Sequence, residues 1–93
     1  MPKDFYINMD YNRPADILRM LGHPMRLMIV QELIAKGPLN VSELQKLIHV
    51  PQSTMSQQLI KLKDYKVVSC ERKGNEMYYI VSDEKVIEIM KVL

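Results

Sequence analysis

The chain has few of the residues that build disulfide-linked or metal-held scaffolds. Its 93 residues include one cysteine, two histidines and three glycines. A single cysteine, Cys70, excludes a disulfide within the chain and fits a reducing compartment such as the cytoplasm. A tetrahedral zinc site needs about four N, S or O ligands, which one Cys and two scattered His do not supply. We therefore predict no cofactor and no metal site.

Long apolar runs and recognisable catalytic groupings are also missing. No segment is apolar over the length needed to cross a membrane, and no signal peptide is evident, so we expect a cytoplasmic protein with no membrane partner. The sequence shows no nucleophile–base pair, carboxylate pair or phosphate-binding loop. An enzyme is therefore not predicted.

The net charge of +2 is too small to indicate a nucleic-acid-binding protein, but the distribution of charge is informative. Basic residues concentrate between positions 61 and 73, where only Asp64 and Glu71 oppose them; they are Lys61, Lys63, Lys66, Arg72 and Lys73. The segment from Ser82 onwards is slightly acidic. The basic charge therefore lies in one central region of the chain.

What the chain does have in quantity is apolar residues, at 47% of the total. We expect residues 1–93 to form a single domain, whose lone core would be only marginally stable. Part of the apolar surface is therefore expected to enter a subunit interface. Residues 1–13 are too apolar for a disordered tail, so we expect this N-terminal extension to dock on the domain or on a partner subunit.

Residues 51–62 have the pattern of an amphipathic helix with an unusual polar side. Met55, Leu59 and Leu62 recur at helical spacing and form one apolar stripe. The opposite side holds hydroxyl and carboxamide groups and no acidic residue, and such groups can bond both base edges and phosphate oxygens. We interpret this segment as a DNA-recognition helix.

The residues before and after this helix complete a winged helix-turn-helix pattern. Asn40 to Glu43 form a capping box that opens a short preceding helix, and residues 49–51 make the turn. Residues 67–72 and 76–81 predict two strands joined at Lys73-Gly74-Asn75, a hairpin with a basic tip. The predicted fold class is α+β and mostly helical, with four helices, two strands and a last helix.

Helices are also predicted over residues 14–21 and 25–36, and from a cap at Ser82 or Asp83 to the end of the sequence. Arg26 falls in a first helical turn, where a cation opposes the helix dipole, so we expect it to bond a specific acid or a phosphate, with a salt bridge favoured. The first and last helices are expected to pair in a homodimer. The predicted interface residues are Ile17, Leu18, Leu21, Val86, Ile89, Met90 and Leu93.

The candidate DNA-binding residues lie on the recognition helix and the hairpin: Gln52, Ser53, Thr54, Ser56, Gln57, Lys61, Lys63, Arg72, Lys73 and Asn75. Gln57 is the best base reader, because an amide can bond adenine N6 and N7 together. Ile60 is apolar at an outward position; it could meet a thymine methyl group or a neighbouring element of the protein.

Several spaced motifs resemble one known family. They are residues 21–27 (LGHPMRL), Ile29-Val30, Glu32-Leu33, residues 40–44 (NVSEL), residues 51–59 (PQSTMSQQL) and Tyr78-Tyr79. Together they are similar to the ArsR/SmtB winged helix-turn-helix repressors over roughly residues 15–93. The resemblance implies a bacterial, cytoplasmic homodimer that binds an inverted repeat in promoter DNA through a recognition helix and wing. Residues 23–27 and 51–54 also resemble a branch that represses virulence genes.

The chain departs from this family where many members bind metals. The third-helix segment that resembles their Cys-x-Cys site, residues 43–47, has no cysteine, and Lys85 occupies the position of a histidine in the last helix. Because of these departures, we expect no metal at either of the family's sites. The usual glycine at the end of the recognition helix is also missing, with Tyr65-Lys66 in that region.

Other functions stay open from the sequence alone. Cys70 could be a redox-responsive thiol in a repressor, although a half-buried small side chain is the simpler interpretation. A winged-helix module that binds protein and an architectural DNA-binding protein are further alternatives.

Overall fold

The computed structural model describes residues 10–93, in which five helices and one β-hairpin follow in chain order. The helices are α1 (Asn12–Leu21), α2 (Pro24–Lys36), α3 (Val41–Ile48), α4 (Gln52–Asp64) and α5 (Glu84–Lys91), and the strands are β1 (Ser69–Lys73) and β2 (Glu76–Ile80). This order confirms the predicted, mostly helical α+β winged helix-turn-helix. The predicted contact of the N-terminal extension concerns residues 1–9, which lie outside the described range, and residues 12 and 13 already belong to α1.

Local side-chain caps determine where most helices begin. The imidazole Nδ1 of His23 accepts a hydrogen bond of 3.1 Å from the Met25 N–H at the start of α2. Asp83 caps α5, with its Oδ1 2.8 Å from the Lys85 nitrogen, so Asp83 and not Ser82 is the N-cap. Both caps satisfy backbone donors that have no partner inside the helix.

Two boundaries predicted from the sequence were wrong. Helix α1 begins at Asn12 rather than at Pro14, and the Asp10 carboxylate accepts the Asn12 N–H at 2.9 Å. Pro14 is tolerated there because N–H groups in the first turn have no helical acceptor. Strand β1 begins at Ser69, since Val67 and Val68 instead donate their N–H groups to the Leu62 carbonyl.

Helix α2 ends at Gly37, a position that has no room for a side chain. A Cβ at this position would collide with the Leu33 carbonyl oxygen, which accepts the Gly37 N–H. Two residues later, Leu39 exchanges two backbone hydrogen bonds with Tyr79, at 3.1 and 2.8 Å. This short bridge attaches the hairpin to the segment between α2 and α3, and it fixes the wing relative to the helix-turn-helix.

The hydrophobic core lies among the five helices, and α1 contributes Ile17, Met20 and Leu21 to it. Its fully buried side chains are Ile29, Val30, Leu44, Met55, Leu59, Leu62 and Val86, each 0% exposed. Burial of one such side chain stabilises the fold by roughly 1.5–3 kcal/mol. The inward stripe predicted for the recognition helix, Met55, Leu59 and Leu62, is confirmed in full, so the opposite side of α4 must face outward.

Candidate nucleic-acid interface

The turn between α3 and α4 sets the direction in which α4 leaves the domain. The capping box at the start of α3 is confirmed: Asn40 Oδ1 accepts the Glu43 N–H at 2.8 Å, and Glu43 Oε1 accepts the Asn40 N–H at 3.0 Å. His49 ends α3 with a left-handed φ of 61°, and Gln45 Nε2 donates to the Val50 carbonyl at 3.1 Å. His is among the non-glycine residues that most often adopt this conformation. These bonds hold α4 at a fixed angle to α3.

The outward side of α4 carries the polar residues that the sequence predicted. Gln52, Ser53, Gln57 and Lys61 are exposed. Thr54 and Ser56 are half-buried, because each lies toward one edge of the buried apolar stripe.

Ile60 lies on this outward side and is 58% exposed. Much of its side chain is therefore accessible to a partner such as a thymine methyl group, and that contact stays a prediction.

The hairpin presents a second exposed surface, a basic tip. Gly74 is the first residue of a two-residue turn and has φ of 63°, a left-handed conformation that glycine adopts without steric cost. Arg72, Lys73 and Asn75 are all exposed. The Lys73 ammonium lies 5.7 Å from the centroid of the Tyr78 ring, a cation–π contact that keeps this charge near the tip.

Lys63 lies on the flank of α4 that faces the hairpin. A hydrogen bond with the Cys70 side chain, and the negative charge of its thiolate form, raise the pKa of Lys63, so the lysine remains a cation. Burial raises the pKa of Tyr79, the residue opposite Cys70 in the hairpin, and the Cys70 charge adds to this effect. Cys70 itself is half-buried, and its contact with Lys63 joins the recognition helix to the first strand of the wing.

The salt bridge predicted for Arg26 is wrong. Its Nε donates to the Met20 carbonyl at 2.6 Å, and its Nη1 donates to Gln58 Oε1 at 3.2 Å. The last carbonyls of α1 have no helical donor and carry partial negative charge, so they suit a guanidinium. Arg26 therefore connects the end of α1 to the recognition helix, and Gln58 is a positioning contact that the sequence did not reveal.

The recognition helix ends in a Schellman motif without glycine. The Lys66 N–H bonds the Lys63 carbonyl at 2.9 Å, and the Val67 N–H bonds the Leu62 carbonyl at 2.9 Å. Lys66 takes the left-handed position with φ of 59°, which costs roughly 1–2 kcal/mol for an L-residue with a Cβ. Buried Val67 supplies the apolar contact that usually accompanies this motif.

Arg13 caps the same helix end. Its guanidinium donates to the Tyr65 and Lys66 carbonyls and forms an ion pair of 2.8 Å with Asp83. Nothing local in the sequence indicates this role, because the partners are 52 to 70 positions away.

The structure divides the predicted dimer residues into two groups. Ile17, Leu21 and Val86 are 3%, 4% and 0% exposed within one chain, so they are core residues with almost no surface for a partner. This part of the prediction is corrected: the inner stripe of each terminal helix packs on its own domain. Leu18 and Leu93 are 56% and 73% exposed, while Ile89 and Met90 are half-buried.

Within residues 10–93, no group of three or more His, Cys, Asp or Glu side chains could hold a metal ion. Among the described helices, none combines the length and apolarity required to cross a membrane.

Comparison with known proteins identifies relatives of the whole chain. A family model described as a helix-turn-helix domain matches residues 21–71. The transcriptional repressor PagR of Bacillus anthracis is 43% identical over 79 residues, which cover 85% of this chain and 79% of PagR. Its crystal structure superposes with a TM-score of 0.80 at 40% identity, covering 86% of this chain and 91% of the PagR chain.

Two further relatives agree. The crystal structure of the transcriptional repressor BigR from Xylella fastidiosa has a TM-score of 0.84 at 31% identity, covering 100% of this chain and 93% of BigR. The HTH-type transcriptional repressor SmtB of Mycobacterium tuberculosis is 39% identical over 76 residues, which cover 82% of this chain and 56% of SmtB. The chain therefore belongs to the ArsR/SmtB family of winged helix-turn-helix transcriptional repressors, which are DNA-binding proteins and not enzymes.

Proposed function

We propose that this repressor binds an inverted repeat in promoter DNA as a homodimer and acts without a metal-sensing site. The two α4 helices enter successive major grooves, with centres about 34 Å apart, and the bound dimer excludes RNA polymerase. The observation that carries this proposal is the pairing of an outward hydroxyl- and amide-rich α4 side with an exposed basic hairpin tip.

Each group of side chains has a distinct role in the proposed complex. Ser53, Thr54 and Ser56 lie near the α4 N-terminus, where their hydroxyls and the backbone N–H groups suit phosphate oxygens. Gln52 is exposed at the same end, and Gln57 reads a base edge in the groove. Lys61, Lys63, Arg72 and Lys73 neutralise phosphates, while Asn75 adds a hydrogen-bonding group at the tip of the wing.

The proposed dimer uses the surfaces of α1 and α5 that the domain core leaves uncovered. The exposed Leu18 and the half-buried Ile89 and Met90 supply apolar surface, and Val92 and Leu93 extend it at 80% and 73% exposed. Exposed apolar side chains that group into patches are typical of association surfaces.

A selection of bound sites from random DNA tests the proposal directly. We expect enrichment of an inverted repeat with half-sites about one helical turn apart. Absence of an enriched motif, with equal affinity for random and promoter DNA, would contradict sequence-specific repression and favour an architectural role.

The salt dependence of binding supplies a second measurement. Four phosphate contacts in each subunit give eight per dimer, so the logarithm of the binding constant should fall against the logarithm of salt concentration with a slope of about −7. A slope near zero is incompatible with the proposed surface. Replacing Lys61 with Gln should make the slope less negative by about 2, one contact in each subunit.

The Lys63–Cys70 contact favours a second candidate, a repressor whose DNA binding responds to oxidation. In such a repressor the Cys70 sulfur attacks hydrogen peroxide, and the products are a sulfenic acid and water. Operator affinity is measured with and without hydrogen peroxide for the natural protein and for Cys70→Ser. A response that disappears in Cys70→Ser supports the thiol switch, and equal affinities in all four measurements exclude it.

A further inference from the structure

Three separate elements meet at the side chain of Arg13. This residue lies in the first turn of α1, and its guanidinium donates to the carbonyls of Tyr65 and Lys66, just beyond the end of α4. The same guanidinium bonds Asp83 Oδ2 at 2.8 Å. Asp83 Oδ1 is the N-cap acceptor of α5, so one arginine links the recognition helix to the starts of α1 and α5.

The geometry of this contact restricts movement at the end of α4. A guanidinium is planar, and its donors have fixed directions, so it can hold two carbonyls and a carboxylate only when all three keep their relative positions. Lys66 adopts a left-handed conformation at the same point, and its carbonyl is one of the Arg13 acceptors. The backbone hydrogen bonds of this helix end lie within residues 61–68, so Arg13 supplies its connection to α1 and α5.

The position of this contact matters for a dimer that reads two half-sites. Helices α1 and α5 are the proposed dimer elements, whereas α4 is the recognition element. The distance between the two α4 helices in a dimer is therefore set by the position of each α4 relative to its own α1 and α5. A rigid connection between these helices restricts that distance to a narrow range.

We propose that Arg13 is a positioning residue for DNA binding: it locks the end of the recognition helix to the dimer helices and thereby sets the half-site spacing that the repressor accepts. This inference rests on the proposed dimeric function. Arg13 touches no DNA in this scheme and acts through the backbone of residues 65 and 66 and through Asp83.

The test measures affinity for a series of inverted repeats that differ only in the spacing between half-sites, using the inverted repeat obtained by selection. The variants are Arg13→Ala, Arg13→Lys and a control, Arg19→Ala. Arg19 lies on the same helix, is largely exposed and forms an i,i+3 ion pair with Asp16. Circular dichroism and thermal unfolding establish that each variant is folded.

We expect the natural protein and Arg19→Ala to bind one spacing about tenfold more tightly than spacings one base pair longer or shorter. Arg13→Ala should bind the best spacing less tightly and lose most of this preference. Arg13→Lys keeps the charge but not the planar fork, so its preference should be intermediate. If Arg13→Ala does not fold, Arg13→Lys and Asp83→Asn provide the same comparison, and a flattened spacing profile in them supports the proposal.

A merely structural role gives a different result. Arg13 variants that unfold at lower temperature but keep the spacing profile of the natural protein would overturn the proposal, as would an equal loss of affinity at every spacing. If the natural protein itself binds no inverted repeat, the proposed function fails first, which separates that failure from failure of the Arg13 inference.

Discussion

Individual residues on the outward side of α4 differ in the information they can extract from DNA. Hydroxyls bond phosphates or several bases, whereas the exposed amide of Gln57 can pair with adenine through two hydrogen bonds at once. Hydrophobic Ile60 can do neither, and its only specific partner in a major groove is a methyl group. The predictions at this scale therefore concern one base position each.

For Gln57→Ala we expect loss of discrimination at one adenine position, worth about 1–3 kcal/mol in relative affinity. The residue is exposed and is not part of the core, so the substitution should leave the unfolding temperature unchanged. Competitive binding to operators with each base at every position measures the effect. Uniform loss across all sequences would assign Gln57 to phosphate contact instead.

For Ile60→Ala we expect loss of contact with a thymine methyl group. Replacing that thymine with deoxyuridine removes only the methyl, so the natural protein should bind the substituted operator several-fold more weakly, as expected for roughly 0.8 kcal/mol per buried carbon. Ile60→Ala should bind both operators equally. A thymine scan in which no position distinguishes the two proteins would show that Ile60 meets no methyl group.

At the scale of elements, charged side chains join helix ends that are remote in the sequence. The hydrogen bond from Arg13 lowers the pKa of Asp83 and outweighs the opposing effect of burial. The carboxylate also caps α5, with backbone N–H groups that favour its charged form. The start of α5 therefore depends on an ionised aspartate.

Stability should consequently fall in acid. A carboxylate whose pKa is lower in the folded state than in the unfolded state stabilises the fold above the unfolded value of about 3.9, and this contribution is lost as pH falls through the lower, folded value. Asp83→Asn retains a capping side chain but loses the charge. We expect it to be less stable than the natural protein near neutral pH by about 1 kcal/mol.

This difference should begin to shrink as pH falls below about 4, and it should disappear once pH has passed below the lowered pKa of the folded Asp83 carboxyl. Urea unfolding at neutral pH and at low pH measures it. When Asp83→Asn is compared with Asp83 in the Arg13→Ala background, the pH-dependent difference in stability should be much smaller. The hydrogen bond from Arg13, the main cause of the lowered Asp83 pKa, is absent there. A difference that is the same at both pH values would contradict the proposed ion-pair contribution.

At the scale of the whole molecule, α1 and the C-terminal segment expose apolar side chains that the domain core leaves uncovered. Leu18 of α1 is one of them and is 56% exposed. Leu18→Glu would place a charge in the proposed interface from each subunit, and an unpaired buried charge is strongly unfavourable. The single chain should still fold, since this side chain is not part of its core.

We therefore expect Leu18→Glu to sediment as a monomer at concentrations at which the natural protein is a dimer, and to bind a full operator at least about tenfold more weakly. Ala35→Glu adds the same charge at an exposed position near the end of α2 and serves as the control. Equal sedimentation of all three proteins would contradict dimerisation through this surface.

The sequence by itself determined the features that depend on neighbours within a few positions. The apolar stripe of Met55, Leu59 and Leu62 follows from the period of a helix, and the capping box follows from Asn and Glu three positions apart. Gly74 marks the hairpin turn because its left-handed φ is costly for other residues. These local requirements were enough to indicate a winged helix-turn-helix.

Only the tertiary structure decided which remote groups meet. Arg26 and Arg13 both bond backbone carbonyls at helix ends, and carbonyls carry no sequence signal because every residue has one. Likewise, an apolar stripe on a terminal helix fits either a core or a dimer surface, and packing within the chain assigned Ile17, Leu21 and Val86 to the core. Local pattern fixes which side of a helix is apolar, but the relative placement of helices determines what that side contacts.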